Sequence, residues 1–195
     1  MNKEIVLATN NAHKLEEYRQ ILAPLGYVIY SISDLNLNVE VDETGANYEE
    51  NSYLKAKALA ELVPFPVISD DSGIEIEALG NKPGLNTARF LSSFPSREEC
   101  FSYIIKETKK KNNNRAKFVC TICLLQNSIA KPLYFKGICP GTILEEPHGS
   151  NGFGYDPIFK SDEGNFYFGT CSPQEKNSVS HRAKAITKLK LFLIL

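Results

Sequence analysis

Two adjacent carboxylates, Asp70 and Asp71, close the short apolar run Pro66-Val67-Ile68, and Ser72-Gly73 follows at once. The apolar run reads as a buried strand, and Ser72-Gly73 predicts a turn directly after it. This pair constrains the fold because an unpaired buried carboxylate is very costly. Neighbours on a strand point to opposite faces. One aspartate can therefore aim into a given cleft, and the other needs hydrogen bonds or water. Strand ends next to small-residue turns are where α/β enzymes often hold a metal or a catalytic base. The same residues also make a good surface turn, so their meaning depends on the rest of the chain.

The 195 residues suit one domain or two lobes sharing a core. A net charge of −1 provides no field to draw the chain to nucleic acid or to an anionic membrane, and neither is expected as a partner. Met1-Asn2-Lys3-Glu4 runs straight into a short strand, which predicts no leader segment. The C-terminal apolar run from Leu189 to Leu195 contains Lys190 and is too short to span a bilayer. Cysteines at 100, 120, 123, 139 and 171, an odd number, predict free thiols in a reducing, cytoplasmic setting. Cys120 and Cys123 have zinc-ligand spacing, but no second pair or nearby histidine completes a site. They lie in a β-rich run where residues three apart face opposite sides, so they read as small buried hydrophobes.

Along the chain, Glu4 to Ala8 reads as a strand. The polar turn Thr9-Asn10-Asn11-Ala12-His13-Lys14 precedes a helix marked by Leu15, Tyr18, Ile21, Leu22 and Leu25 and ended by Gly26. Free N–H groups and the positive dipole end make such a turn an anion site, and Lys14 adds a full charge. An Asn-capped helix bearing a lysine is the alternative. Tyr27 to Ile32 is a second strand. Asn47 to Glu50 reads as a capping box opening a helix whose apolar stripe is Ala56, Leu59, Ala60 and Val63. Glu43 precedes this helix and Asp71 follows the next strand, so the two could meet as metal ligands. Ser96 caps an amphipathic helix to Lys110. Ala116–Leu125 and Pro132–Cys139 read as a hairpin, which Gly141 to Glu146 extends. Three glycines around two aromatics in Gly149–Pro157 suit a loop that approaches a ligand closely and stacks a ring on it. Ser180 is the expected N-cap of a C-terminal helix that starts with His181 and Arg182.

Taken together and in order, these motifs resemble the inosine triphosphate pyrophosphatase family, the non-standard purine nucleoside triphosphate pyrophosphatases. The resemblance covers nearly the whole chain. It rests on Thr9 to Lys14, on Glu43-Thr44-Gly45 to Glu50-Asn51 with Lys55-Ala56, and on Asp70 to Gly73 with Pro83-Gly84 and Ala88-Arg89. Gly152 to Pro157, and Lys176 with Ser180-His181-Arg182, complete it. The family usually carries glycines where Asn10 and His13 stand, Gly-Gly at Gly80-Asn81, and Ala-Glu-Leu at Gly169-Thr170-Cys171.

The resemblance implies an α/β fold, with an elongated mixed sheet and flanking helices forming two lobes around a nucleotide cleft. It implies a single domain over 1–195 that works as a homodimer. The implied reaction is Mg²⁺-dependent hydrolysis of ITP, dITP or XTP to the monophosphate and pyrophosphate. By position, Asp71 matches the catalytic base, and Glu43 and Asp71 match metal ligands. Thr9, Asn10, Asn11, Ala12, His13, Lys14, Lys55, Ser72, Phe153, Gly154, Tyr155, Asp156, Lys176, His181 and Arg182 match substrate-binding positions. The base would sit against Phe153 or Tyr155, and Arg182 and His181 would donate to a C6 oxygen. A pyrophosphatase for other modified nucleotides is one alternative reading. A nucleotide-binding module without catalysis is the other.

Overall fold

The computed structural model of the chain describes residues 3–194. Met1 and Asn2, where the leaderless start was read, and Leu195, the last residue of the C-terminal apolar run, lie outside the described residues. The strands are β1 (Glu4–Leu7), β2 (Val28–Ser31), β3 (Val67–Ile76), β4 (Lys82–Pro83), β5 (Arg115–Leu125), β6 (Leu133–Ile143) and β7 (Phe159–Ser161). The helices are α1 (Ala12–Leu22), α2 (Tyr48–Ala60), α3 (Thr87–Ser92), α4 (Arg97–Lys110), α5 (Pro173–Val179) and α6 (His181–Ile194). One 7-stranded sheet has the order β2-β1-β3-β5-β6-β7, with β4 paired to β3. Parallel pairing of β1 with β2 and β3, and antiparallel pairing of β3 with β4 and β6 with β7, make the sheet mixed, as expected of the α/β class.

The chain divides into two compact units. The first comprises residues 1–71, 120–136 and 185–195; the second comprises 72–119 and 137–184. In the first, the sheet residues have two buried faces. Ile5, Leu7, Ile68, Cys120 and Ile122 pack with Tyr18 and Leu22 of α1 and Ile186 and Leu189 of α6. Val6, Val67, Cys123 and Leu125 pack with Ala56 and Leu59 of α2. Cys120 and Cys123 thus bury on opposite faces, as alternation on a strand requires, and all five cysteines are free. In the second unit, Ile74, Ile76, Phe118, Cys139 and Ile143 bury against Phe101 and Ile104 of α4 and against Phe159 and Phe168.

The turn expected after Asp71 is absent. β3 continues unbroken to Ile76, so the aspartates sit within a strand and not at its end. Gly73 serves close approach, not turning. A Cβ there would stand 2.2 Å from the Gly84 carbonyl oxygen and 2.7 Å from Thr87 Oγ1. Thr87 Oγ1 in turn donates to Gly84 O (2.6 Å) and accepts from Ile74 N (2.9 Å), which stitches β3 to the start of α3. The hairpin arrives with β6 running on to Ile143. α5 is a helix the sequence reading lacked, although it carries a full capping box between Ser172 and Glu175. Among the described residues, no helix is long and apolar enough to cross a membrane.

Candidate active site

The first unit gathers Glu43, Lys55, Asp71, Asp70 and Lys14. Alternation on β3 sends the two aspartates to different partners. Asp70 is fully buried in its side chain and pairs with Lys14 Nζ at 2.8 Å. The Cys120 thiol donates to its other oxygen at 3.5 Å. Asp71 accepts from Lys55 Nζ at 3.3 Å and from Asn51 Nδ2 at 3.2 Å. Lys55 Nζ also donates to Glu43 at 2.7 Å, so the two carboxylates expected to meet do converge, on one ammonium.

α2 positions these groups. Asn47 caps it, accepting from Glu50 N at 2.8 Å. The reciprocal bond of a capping box lands one residue earlier, with Glu50 accepting from Ala46 N at 2.8 Å. Asn51 and Lys55, four apart, share one helical face, and that face meets Asp71. Ser69 Oγ donates to the Ser52 carbonyl, fastening β3 to α2 beside the carboxylates.

The electrostatics follow from one ammonium serving several carboxylates. Burial raises the Asp71 carboxyl above its ordinary value; Lys55 pulls it down, but Glu43 pushes it up again. Burial alone would lower Lys55, yet Asp71, Glu43 and Asp70 outweigh it and hold the ammonium protonated above its usual range. A carboxylate raised by burial next to a specific charge partner marks a functional-site candidate.

The N-terminal turn is a capped helix start. Thr9 Oγ1 accepts from Asn11 N at 3.2 Å, and Asn11 Oδ1 accepts from His13 N (3.0 Å) and Lys14 N (3.2 Å). The N–H groups of His13 and Lys14 therefore already have an acceptor, as in the Asn-capped alternative given for this turn. Ala12, His13 and Lys14 form the first turn of α1, with Asn10 exposed ahead of it. Neither Asn10 nor His13 has positive φ, so replacing glycine at these positions carries no backbone strain. Asn81 does adopt φ 62°, a conformation Asn tolerates better than most residues.

The second unit holds Ser72, Phe153, Gly154, Tyr155, Asp156, Lys176, His181 and Arg182. Asp156 is buried and accepts from Phe153 N and Lys176 Nζ, both at 2.7 Å. At Gly152, with φ +73°, a Cβ would fall 2.1 Å from Asp156 Oδ2, so this glycine closes the loop on its own carboxylate. Lys176 Nζ stands 4.7 Å from the Phe153 ring centroid, and Arg182 Cζ 5.6 Å from it. Arg182 donates to Ser72 Oγ at 2.9 Å. His181 stacks on Phe118 at 4.7 Å and 12°, and Ser180 Oγ caps α6 by accepting from Ala183 N. Of the two rings offered for stacking, Tyr155 is withdrawn. It is 1% exposed and donates to the Thr87 carbonyl at 2.8 Å, whereas Phe153 is half-buried. Asp156, expected on substrate, likewise lies 2% exposed beneath its loop.

This is an α/β fold in which successive residues of one strand place buried carboxylates against separate lysines. The Ham1 family model matches residues 5–192. A dITP/XTP pyrophosphatase from Bacillus subtilis is 37% identical over 194 residues, covering 98% of this chain and 97% of that protein. The solved structure of a HAM1 protein from Coxiella burnetii aligns with a TM-score of 0.86 at 34% identity, covering 98% of each chain. The Staphylococcus aureus Ham1 protein aligns with a TM-score of 0.83 at 35% identity, covering 97% of each. The chain belongs to the Ham1 family.

Proposed function

We propose that this protein is a hydrolase that cleaves non-standard purine nucleoside triphosphates (ITP, dITP and XTP) to the nucleoside monophosphate and pyrophosphate. The observation that carries this reading is the convergence of Glu43 and Asp71 on Lys55 in a chain of this family. The residues suit a magnesium ion. Among the described residues, no group of three or more His, Cys, Asp or Glu gathers as a metal site. Mg²⁺, however, is ordinarily held by one or two carboxylates, with water and substrate phosphates completing its shell. Glu43 and Asp71 supply two hard oxygen ligands of that kind. When bound there, the cation would neutralise triphosphate charge and orient the reacting phosphate.

The remaining chemistry belongs to the chain. Asp71 takes the proton from the water attacking the α-phosphorus, general-base work for a carboxylate positioned beside the reacting phosphate. Lys14 and Lys55 stabilise charge developing on the phosphates. Thr9, Asn10, Asn11, Ala12 and His13 line the phosphate end. Phe153 and Gly154 present the stacking surface for the purine, and Ser72, Lys176, His181 and Arg182 complete the substrate positions. Tyr155 and Asp156 support the loop from beneath. Arg182 is a donor only and His181 donates through at least one nitrogen, so a C6 oxygen is matched and the C6 amine of adenine is not. The same reading makes the protein a cytoplasmic homodimer, and five free thiols suit that compartment.

Pyrophosphate release from inosine, xanthosine, guanosine and adenosine triphosphates and from modified pyrimidine triphosphates tests the proposal. Inosine and xanthosine triphosphates should turn over far faster than adenosine triphosphate, by up to roughly 10⁴-fold if the mismatched amine leaves donors unpaired. Preference for modified pyrimidines would favour the first alternative, and binding without turnover the second. Glu43→Gln should raise the Mg²⁺ concentration for half-maximal rate, with partial rescue at high metal, because a neutral amide is a poorer ligand for a hard cation. An unchanged metal titration would remove Glu43 from the site.

A further inference from the structure

We propose that Asn51 is a positioning residue that sets the spacing of the two carboxylates and thereby the affinity for the divalent cation. The inference rests on the reading of Glu43 and Asp71 as metal ligands. Asn51 is 2% exposed. Its Oδ1 accepts from Gly45 N at 2.7 Å and its Nδ2 donates to Asp71 Oδ2 at 3.2 Å. One bond needs an acceptor and the other a donor, so the amide works in a single orientation. It ties the segment carrying Glu43, two residues before Gly45, to the strand carrying Asp71.

Gly45 fits the same arrangement. A Cβ at this position would lie 2.6 Å from Asn51 Oδ1 and 2.8 Å from Asn51 N. The segment reaches the amide because no side chain intervenes. Lys55 also joins Glu43 to Asp71, but through a flexible stem whose ammonium can leave for a phosphate. Asn51 lies on the helix backbone through two rotatable bonds, so the clamp persists when Lys55 moves. Groups that orient metal ligands typically account for 10–100-fold in metal affinity.

The test is a Mn²⁺ titration of the substrate-free protein, read by electron paramagnetic resonance of free Mn²⁺, with thermal unfolding measured alongside. Asn51→Ala should raise the Mn²⁺ dissociation constant by about 10-fold or more. Gly45→Ala, which leaves Asn51 and both carboxylates in the sequence, should weaken binding in the same direction. It therefore decides the matter if Asn51→Ala does not fold. In the rate assay, the Mg²⁺ concentration for half-maximal rate should rise while kcat at saturating metal largely recovers. A folded variant with lowered thermal stability and an unchanged Mn²⁺ constant would overturn the inference and leave Asn51 a purely structural residue. If the wild-type protein binds no Mn²⁺, or Glu43→Gln leaves its binding intact, the underlying metal reading fails instead.

Discussion

Asp71→Asn is expected to lower turnover by at least about 10²-fold, the lower end of what a positioned general base contributes, while the chain stays folded. The substitution keeps the shape and the acceptor oxygen for Asn51 Nδ2, but it removes the proton acceptor and one charge from the metal position. A second readout follows from the raised carboxyl. In the folded protein Asp71 keeps its proton above the ordinary value of 3.8, chiefly because of burial. Between 3.8 and the raised value the folded state binds more protons than the unfolded one, so this group's contribution to stability falls as pH rises. Asparagine has no such titration. With a chelator present, the melting temperature of Asp71→Asn relative to wild type should therefore climb with pH across that window and level off above it. A folded variant keeping more than about a tenth of wild-type activity would mean that Asp71 is not the base. A difference in melting temperature that ignores pH would mean that burial does not tax its charge.

Gly73→Ala is expected to be among the most destabilising single substitutions in the chain. The added Cβ would stand 2.2 Å from a backbone oxygen, Gly84 O, and 2.7 Å from Thr87 Oγ1. A backbone atom cannot rotate aside as a side chain can, so β3 and the start of α3 must separate and strain the Thr87 bonds to Ile74 and Gly84. Overpacking of this kind costs typically about 1–3 kcal/mol, and a carbonyl clash belongs at the upper end. For a chain of this length, about 3 kcal/mol corresponds to a fall in melting temperature of roughly 6–12 °C. Gly80→Ala is the control. It meets nothing within 4 Å and pays only for its φ of +66°. If Gly73→Ala melts no lower than Gly80→Ala, the contact with Gly84 is not rigid.

The strands and helices were largely legible because each carries its own period and cap. Asn47, Ser96 and Ser180 all cap the helices read from them. The meeting of Glu43 with Asp71 was also legible, from the one helix and one strand between them. What misled was composition read as conformation. Asp-Asp-Ser-Gly has the residues of a turn, yet β3 runs through it, because Gly73 is selected by the backbone of Gly84 and not by φ. In the glycine-rich loop, Gly152 leaves room for the Asp156 carboxylate that holds the loop through Phe153 N. Asn10 and His13 stand where the family usually carries glycines, and because the helix begins at Ala12 no positive φ is needed there. Asn51 was named only as part of a motif. Its four-residue spacing from Lys55 was the available signal, but its partners, Gly45 and Asp71, are set by tertiary structure.

One measurement bears most directly on the claim that Asp71 activates water against the α-phosphorus of a non-standard purine triphosphate. Inosine triphosphate is turned over with Mg²⁺ in ¹⁸O-labelled water, and both products are weighed by mass spectrometry. One labelled oxygen should appear in inosine monophosphate and none in pyrophosphate, with formation of both products lost in Asp71→Asn. Label in pyrophosphate, release of orthophosphate with inosine diphosphate, or no turnover by the folded wild-type protein would contradict it.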